Sequence, residues 1–148
     1  VRKRLISSVS KDGAQDGKDG ILVCFDRGKN TLTYAAAQNR PILIRNHEII
    51  EHKADKMPIG VGVRSDSFAL FTIEVQPGDS LYLYTDGFAD QFGGQKGKKF
   101  KYKNLNELLL NNCQESMDEQ RQILDKTFET WKGELEQIDD VCVIGLRF

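Results

Sequence analysis

At 148 residues with 39% hydrophobic side chains, the chain suits one domain with a real core. A formal charge of −1 excludes a general attraction to nucleic acid or to an anionic membrane, so either partner would need a local basic patch. The longest apolar runs are much too short to span a bilayer, and the opening Val1-Arg2-Lys3-Arg4 leads into no signal-peptide core. Cys24, Cys113 and Cys142 are odd in number, widely spaced and set among apolar residues. That pattern reads as reduced core thiols in a reducing, cytoplasmic compartment rather than disulfides or a thiolate metal site. No paired-histidine motif accompanies any of them, which argues against a cysteine nucleophile.

Leu5, Ile6 and Val9 recur at helical spacing, so residues 1–9 read as the last turns of a helix. The polar, glycine-rich run from Lys11 to Gly20 cannot bury itself and reads as a solvated loop. Next come two β-like runs, Ile21 to Phe25 and Thr31 to Ala37, around a turn at Asp26-Arg27-Gly28-Lys29-Asn30. Ile42 to Arg45 and Glu48 to Glu51 repeat the pattern around Asn46-His47, which predicts a β-meander. His47 falls in that turn and His52 at a strand end, both expected to be solvated. Pro58 and two glycines make Ala54 to Gly62 a break.

A strand from Phe68 to Val75 then meets Gln76-Pro77-Gly78-Asp79, a type II turn signature. The next strand is therefore expected to return antiparallel to its predecessor. That strand, Leu81 to Tyr84, ends abruptly at Thr85-Asp86-Gly87-Phe88-Ala89-Asp90, which delivers a carboxylate to a sheet edge before a sharp turn. A loop rich in glycine, lysine and aromatics runs from Gln91 to Lys103 and reads either as a phosphate-binding patch or as a solvated loop. Leu105, Leu108, Leu109 and Cys113 mark one helix face. Ser116-Met117-Asp118-Glu119 is a capping box for a second helix, with Leu124, Phe128, Trp131 and Leu135 on its apolar stripe. Asp139 and Asp140 stand at the mouth of a final apolar strand, Val141 to Phe148. Two strands with acids at their tips can bring the acids together, and converging carboxylates repel unless a cation or a proton lies between them.

The order of elements and the residues at the strand ends resemble the PPM-type metal-dependent serine/threonine phosphatases, the group that includes eukaryotic protein phosphatase 2C. The similarity is greatest to its bacterial branch of stage II sporulation protein E-like and sigma-factor-regulator phosphatases. It rests on Tyr34-Ala35-Ala36-Ala37-Gln38-Asn39-Arg40-Pro41, Pro58-Ile59-Gly60, Gly78-Asp79-Ser80-Leu81, Tyr84-Thr85-Asp86-Gly87 through Asp90, and Asp139-Asp140-Val141, in that order along nearly the whole chain. The resemblance implies an α+β fold, two antiparallel sheets sandwiched between helices, with two Mn²⁺ or Mg²⁺ ions at one end. It places metal ligands at Asp86 and Asp139, and an acid near a weaker third metal at Asp90. No catalytic residue beyond the metal ligands is implied.

Family members carry an N-terminal half with a bridging aspartate that nothing before Lys11 supplies, so residues 1–148 are expected to form a single domain that is the C-terminal portion of such a phosphatase. The implied reaction is hydrolysis of phosphoserine or phosphothreonine on a regulatory protein of the anti-anti-sigma type in bacterial signal transduction. An upstream sensor domain in the same chain is implied too, with no nucleic-acid partner and no membrane contact by this segment. The alternative is a non-catalytic interaction or regulatory module derived from the same fold, inactive as the isolated segment. A third reading, nucleic-acid binding through Lys96 to Lys103 with Phe100 and Tyr102, is opposed by the overall charge.

Overall fold

A computed structural model describes residues 17–60 and 66–148. The expected helix of Leu5, Ile6 and Val9 lies outside the described residues, as do the loop up to Asp16 and the end of the break at Val61-Gly62. In chain order the elements are β1 (Gly20–Asp26), β2 (Thr31–Ala37), β3 (Ile42–Arg45), β4 (Glu48–Glu51), β5 (Phe71–Glu74) and β6 (Ser80–Tyr84). They continue with α1 (Gly87–Asp90), β7 (Phe92–Gly93), β8 (Lys98–Lys99), α2 (Tyr102–Asn111), α3 (Met117–Lys132) and β9 (Val143–Arg147). The chain divides into two compact units, Val1–Pro41 with His52–Gln76, and Ile42–Glu51 with Pro77–Phe148.

The first unit is built on an antiparallel sheet of order β1-β2-β5. Its central strand β2 alternates half-buried and buried residues, with Leu32, Tyr34 and Ala36 inward. Asp26 accepts backbone bonds from Gly28 and Lys29, which closes the β1–β2 turn foreseen from the sequence. The Tyr34 hydroxyl donates to the Lys53 carbonyl (3.0 Å), and burial pushes its pKa up despite that bond.

The second unit carries a sheet of order β4-β3-β6-β9, also antiparallel throughout, and a short β7–β8 ribbon. Asn46 and His47 both have positive φ (50° and 61°), the signature of a two-residue type I′ turn between β3 and β4. Ile42, Ile44 and Tyr82 from the sheet pack with Phe88, Phe100, Leu105, Leu109, Cys113 and Phe128 into one core. Leu105 and Leu109 are one helical turn apart on α2 and fully buried, each contributing about 1.5–3 kcal/mol. The capping box of α3 is present: the Ser116 hydroxyl accepts from the Glu119 N–H (3.2 Å), and Glu119 accepts from the Ser116 N–H (3.0 Å).

Four expectations fail. The meander does not exist, because β2 and β3 belong to different sheets. Gln38 at φ 65° and the Asn39 N–H turned back onto the Ala37 carbonyl (2.8 Å) end β2, and Pro41 has no N–H with which to continue a ladder. Nor do β5 and β6 pair. The turn at Pro77-Gly78 is present, but β5 lies beside β2, while β6 lies between β3 and β9. Leu135 falls beyond the end of α3 and is exposed. Finally, Cys113 is buried, but Cys24 and Cys142 are exposed. Cys24 lies on the outward side of β1 with Leu22, as alternation along a strand allows, whereas Cys142 stands just before β9, outside any strand.

Candidate functional site

The two acid-bearing strand ends meet within the second unit. β6 pairs with β9 so that Tyr84 stands opposite Val143, which places the residues after Tyr84 beside the residues before Val143. The Thr85 N–H donates to the Cys142 carbonyl (3.0 Å). The Thr85 hydroxyl donates to the Asp140 carbonyl (2.8 Å) and accepts from the Cys142 N–H (2.9 Å). Gly87 then passes so near this segment that a Cβ on it would stand 2.5 Å from the Asp140 carbonyl oxygen. Glycine at position 87 therefore has a packing reason, because a side chain there would push the two strand ends apart; it opens α1 without a positive φ, so no turn conformation demands it.

Asp86 is half-buried and begins α1 with φ −70° and ψ −19°, yet its side chain makes no capping bond. Among the described residues its carboxylate has no hydrogen-bond or ion-pair partner. Asp139 is exposed, and its Oδ1 accepts the Asp140 N–H (2.7 Å). Asp90, at the far end of α1, forms an ion pair with Lys99 (3.1 Å), so the third acid predicted from the sequence is neutralised by a side chain of the lysine-rich loop.

The donor set fits a hard divalent cation in kind: Asp86 and Asp139 offer carboxylate oxygens from adjoining segments, and such ions keep several waters. In number it is partial. Among the described residues, no group of three or more His, Cys, Asp or Glu is gathered closely enough to hold an ion.

Gln91 is a positioning residue that the sequence gives no reason to select. It is completely buried just after α1, and its amide donates to the Glu136 carbonyl (2.9 Å) and accepts from the Ile138 N–H (3.3 Å). Its own carbonyl accepts from the Phe100 N–H (2.9 Å) and the Trp131 indole N–H (3.1 Å). One residue thus ties the segment leading to Asp139 to the short helix that begins at Asp86. A glutamine after a strand-turn motif carries no local signal, because its partners lie about forty positions away.

His47 Nδ1 lies 3.4 Å from Cys113 Sγ. The pair joins the β3–β4 turn to the end of α2, a tertiary contact without a sequence motif.

Comparison with known proteins accords with this geometry. Residues 2–148 match the family model of stage II sporulation protein E (SpoIIE). The chain is 29% identical over 126 residues to protein IcfG of Synechocystis sp., covering 82% of this chain and 19% of that protein. It superposes on the SiaA-PP2C domain of Pseudomonas aeruginosa with a TM-score of 0.79 and 29% identity, covering 88% of this chain and 51% of that one. The Mn-presoaked phosphatase domain of the cell fate determinant SpoIIE from Bacillus subtilis gives a TM-score of 0.67 at 13% identity, covering 98% of this chain and 62% of that one, a likeness of fold alone. The chain thus spans about half of the SiaA domain and a fifth of IcfG. With its mixed α and antiparallel β architecture and its match over almost every residue, this chain belongs to the stage II sporulation protein E family and has the fold of its PP2C-type phosphatase domains.

Proposed function

We propose that the protein containing this chain hydrolyses phosphoserine or phosphothreonine on a regulatory protein in bacterial signalling, with Mn²⁺ or Mg²⁺ as cofactor. The observation that carries this reading is the junction of the Asp86 strand end with the Asp139–Asp140 segment, closed by Thr85 and permitted by Gly87. Family membership supports it, as do relatives named as PP2C or phosphatase domains.

In this reading Asp86 and Asp139 hold the cation, and their negative charge offsets part of its own. When bound, a divalent cation would supply Lewis acidity toward phosphoryl oxygens and lower the pKa of a water it binds toward neutrality. The work of the chain is placement. Thr85 holds the carbonyl of Asp140, Gln91 holds the backbone at Glu136 and Ile138, and Asp90 keeps Lys99 beside α1. No side chain here is assigned as a nucleophile.

The test uses the full-length protein. Turnover of a phosphoserine peptide should require Mn²⁺ or Mg²⁺, and Asp86→Asn and Asp139→Asn should each lower kcat/KM roughly a hundredfold or more, while circular dichroism stays unchanged. Asparagine preserves the volume and removes the charge. Calorimetric titration with Mn²⁺ should show weakened binding in both variants. Full activity in chelator, or unaltered Mn²⁺ affinity in both variants, would refute the assignment.

A further inference from the structure

We propose that the lysine-bearing hairpin beside Asp90 docks an acidic protein segment, the one flanking the phosphoserine of the substrate. The identity of that segment as substrate rests on the phosphatase reading above; the docking itself does not.

Between Gln91 and Asn106 the chain holds five lysines and no acid. Two of them are engaged: Lys99 with Asp90, and Lys103 with Glu107 at 3.8 Å. Lys96, Lys98 and Lys101 are exposed, and among the described residues their ammonium groups have no hydrogen-bond or ion-pair partner. Unpaired surface lysines are common, but two features set these apart.

The first is a stiff base. Gly93 packs so tightly on α3 that a Cβ there would overlap the Trp131 carbonyl, and the Gly94 N–H donates to that same oxygen (2.8 Å). Phe100 is buried in the core, with Trp131 edge-on to its ring at 5.3 Å. The Phe100 N–H bonds the Gln91 carbonyl (2.9 Å), and the Lys101 N–H bonds the Ala89 carbonyl (2.7 Å). The lysines are therefore carried on a ribbon riveted to α1 and α3, and a partner would lose little loop entropy in ordering it.

The second is Lys101 itself. Its backbone stands at φ 76° and ψ 147°, a region that side-chain-bearing residues rarely adopt. Glycine would relieve this strain, so the position holds a lysine against the preference of the backbone. Strain held in place beside a charged surface points to a binding role.

Charge chooses the partner. Asp90 lies against the ribbon through Lys99, and Asp86 is at the other end of the same short helix. A continuous polyanion such as a nucleic acid would press phosphates onto these carboxylates. A peptide can place a few acids over Lys96, Lys98 and Lys101 and keep clear of them.

The test titrates the full-length protein with two fluorescein-labelled phosphoserine peptides, one flanked by glutamates and one by lysines, read by anisotropy. The variant Lys96→Ala/Lys98→Ala/Lys101→Gly should bind the glutamate peptide about tenfold more weakly, as expected for three partly screened charges. That loss should shrink at high salt. Lys98→Glu should weaken binding of the same peptide, and Lys101→Gly alone should melt no lower than the parent, which separates docking from folding. Equal affinity of parent and triple variant for the glutamate peptide overturns the proposal. So does tighter binding of the parent to a DNA duplex or to phosphatidylserine vesicles than to that peptide. Turnover of the bound peptide is monitored separately, so a parent that binds it without hydrolysing it counts against the phosphatase reading and not against the docking surface.

Discussion

Asp79 illustrates how a residue can look like chemistry and act as structure. It is one of the acids in the Gly78-Asp79-Ser80-Leu81 motif, yet it is buried and grips the Arg45 guanidinium through two bonds, at 2.9 Å to Oδ1 and 2.6 Å to Oδ2. A bidentate, largely desolvated pair is costly to break from one side, because the survivor keeps its charge without its partner. Asp79→Ala should therefore lower the unfolding free energy by about 3 kcal/mol in a urea titration, the lower end for such pairs, since Arg45 retains some exposure. A loss within about 0.5 kcal/mol would place the pair among ordinary surface bridges. Asp86 presents the opposite case, half-buried and committed to no bond among the described residues, which suits the ligand role proposed for it.

The helix α3 owes its start to a local device whose pH dependence can be read from its hydrogen bonds. The Ser116 hydroxyl and N–H both donate to Glu119, holding its carboxyl below the usual glutamate range. A carboxylate whose pKa is depressed on folding stabilises the fold above its unfolded value of about 4.3, and the contribution is lost as pH falls through the lower folded value. Glu119→Ala should therefore lower the urea midpoint more at pH 6 than at pH 3. An equal deficit at both pH values would mean that the charged bond adds nothing. At the other end of α3, Phe128 enters the core beside Phe88 and Phe100, as the apolar stripe predicts. Trp131 packs at the edge of that core against Phe100, and it also covers Gly93 and Gly94 of the lysine ribbon and bonds Gln91. The periodicity of the helix assigns both residues inward but does not say which neighbour each meets.

Across the molecule, the two strand ends are held together by a side chain that reaches far along the chain. Thr85 reaches Asp140 and Cys142, 55 and 57 positions away, with one hydroxyl that both donates and accepts. Thr85→Val keeps the shape and removes the oxygen, and should cost about 1 kcal/mol. Hydrogen exchange at the Cys142 amide should accelerate more than at the amides of β3, and uniform acceleration would show global rather than local loosening.

Near neighbours along the chain dictate the β1–β2 and β3–β4 hairpins with their turns, the α2 and α3 faces, the capping box, and the acids standing at strand tips, and all of these were legible before any fold was known. They are written in propensities and in periods of two and 3.6 residues, which act over a few positions. Which strands share a sheet was settled by folding alone, because the edges of β2 and β5 accept partners regardless of chain order. Folding also brought Gln91 onto the segment before Asp139, His47 onto Cys113, and Lys99 onto Asp90. Each of these contacts depends on how the chain returns on itself to join its two partners, and no local preference of either residue encodes that return.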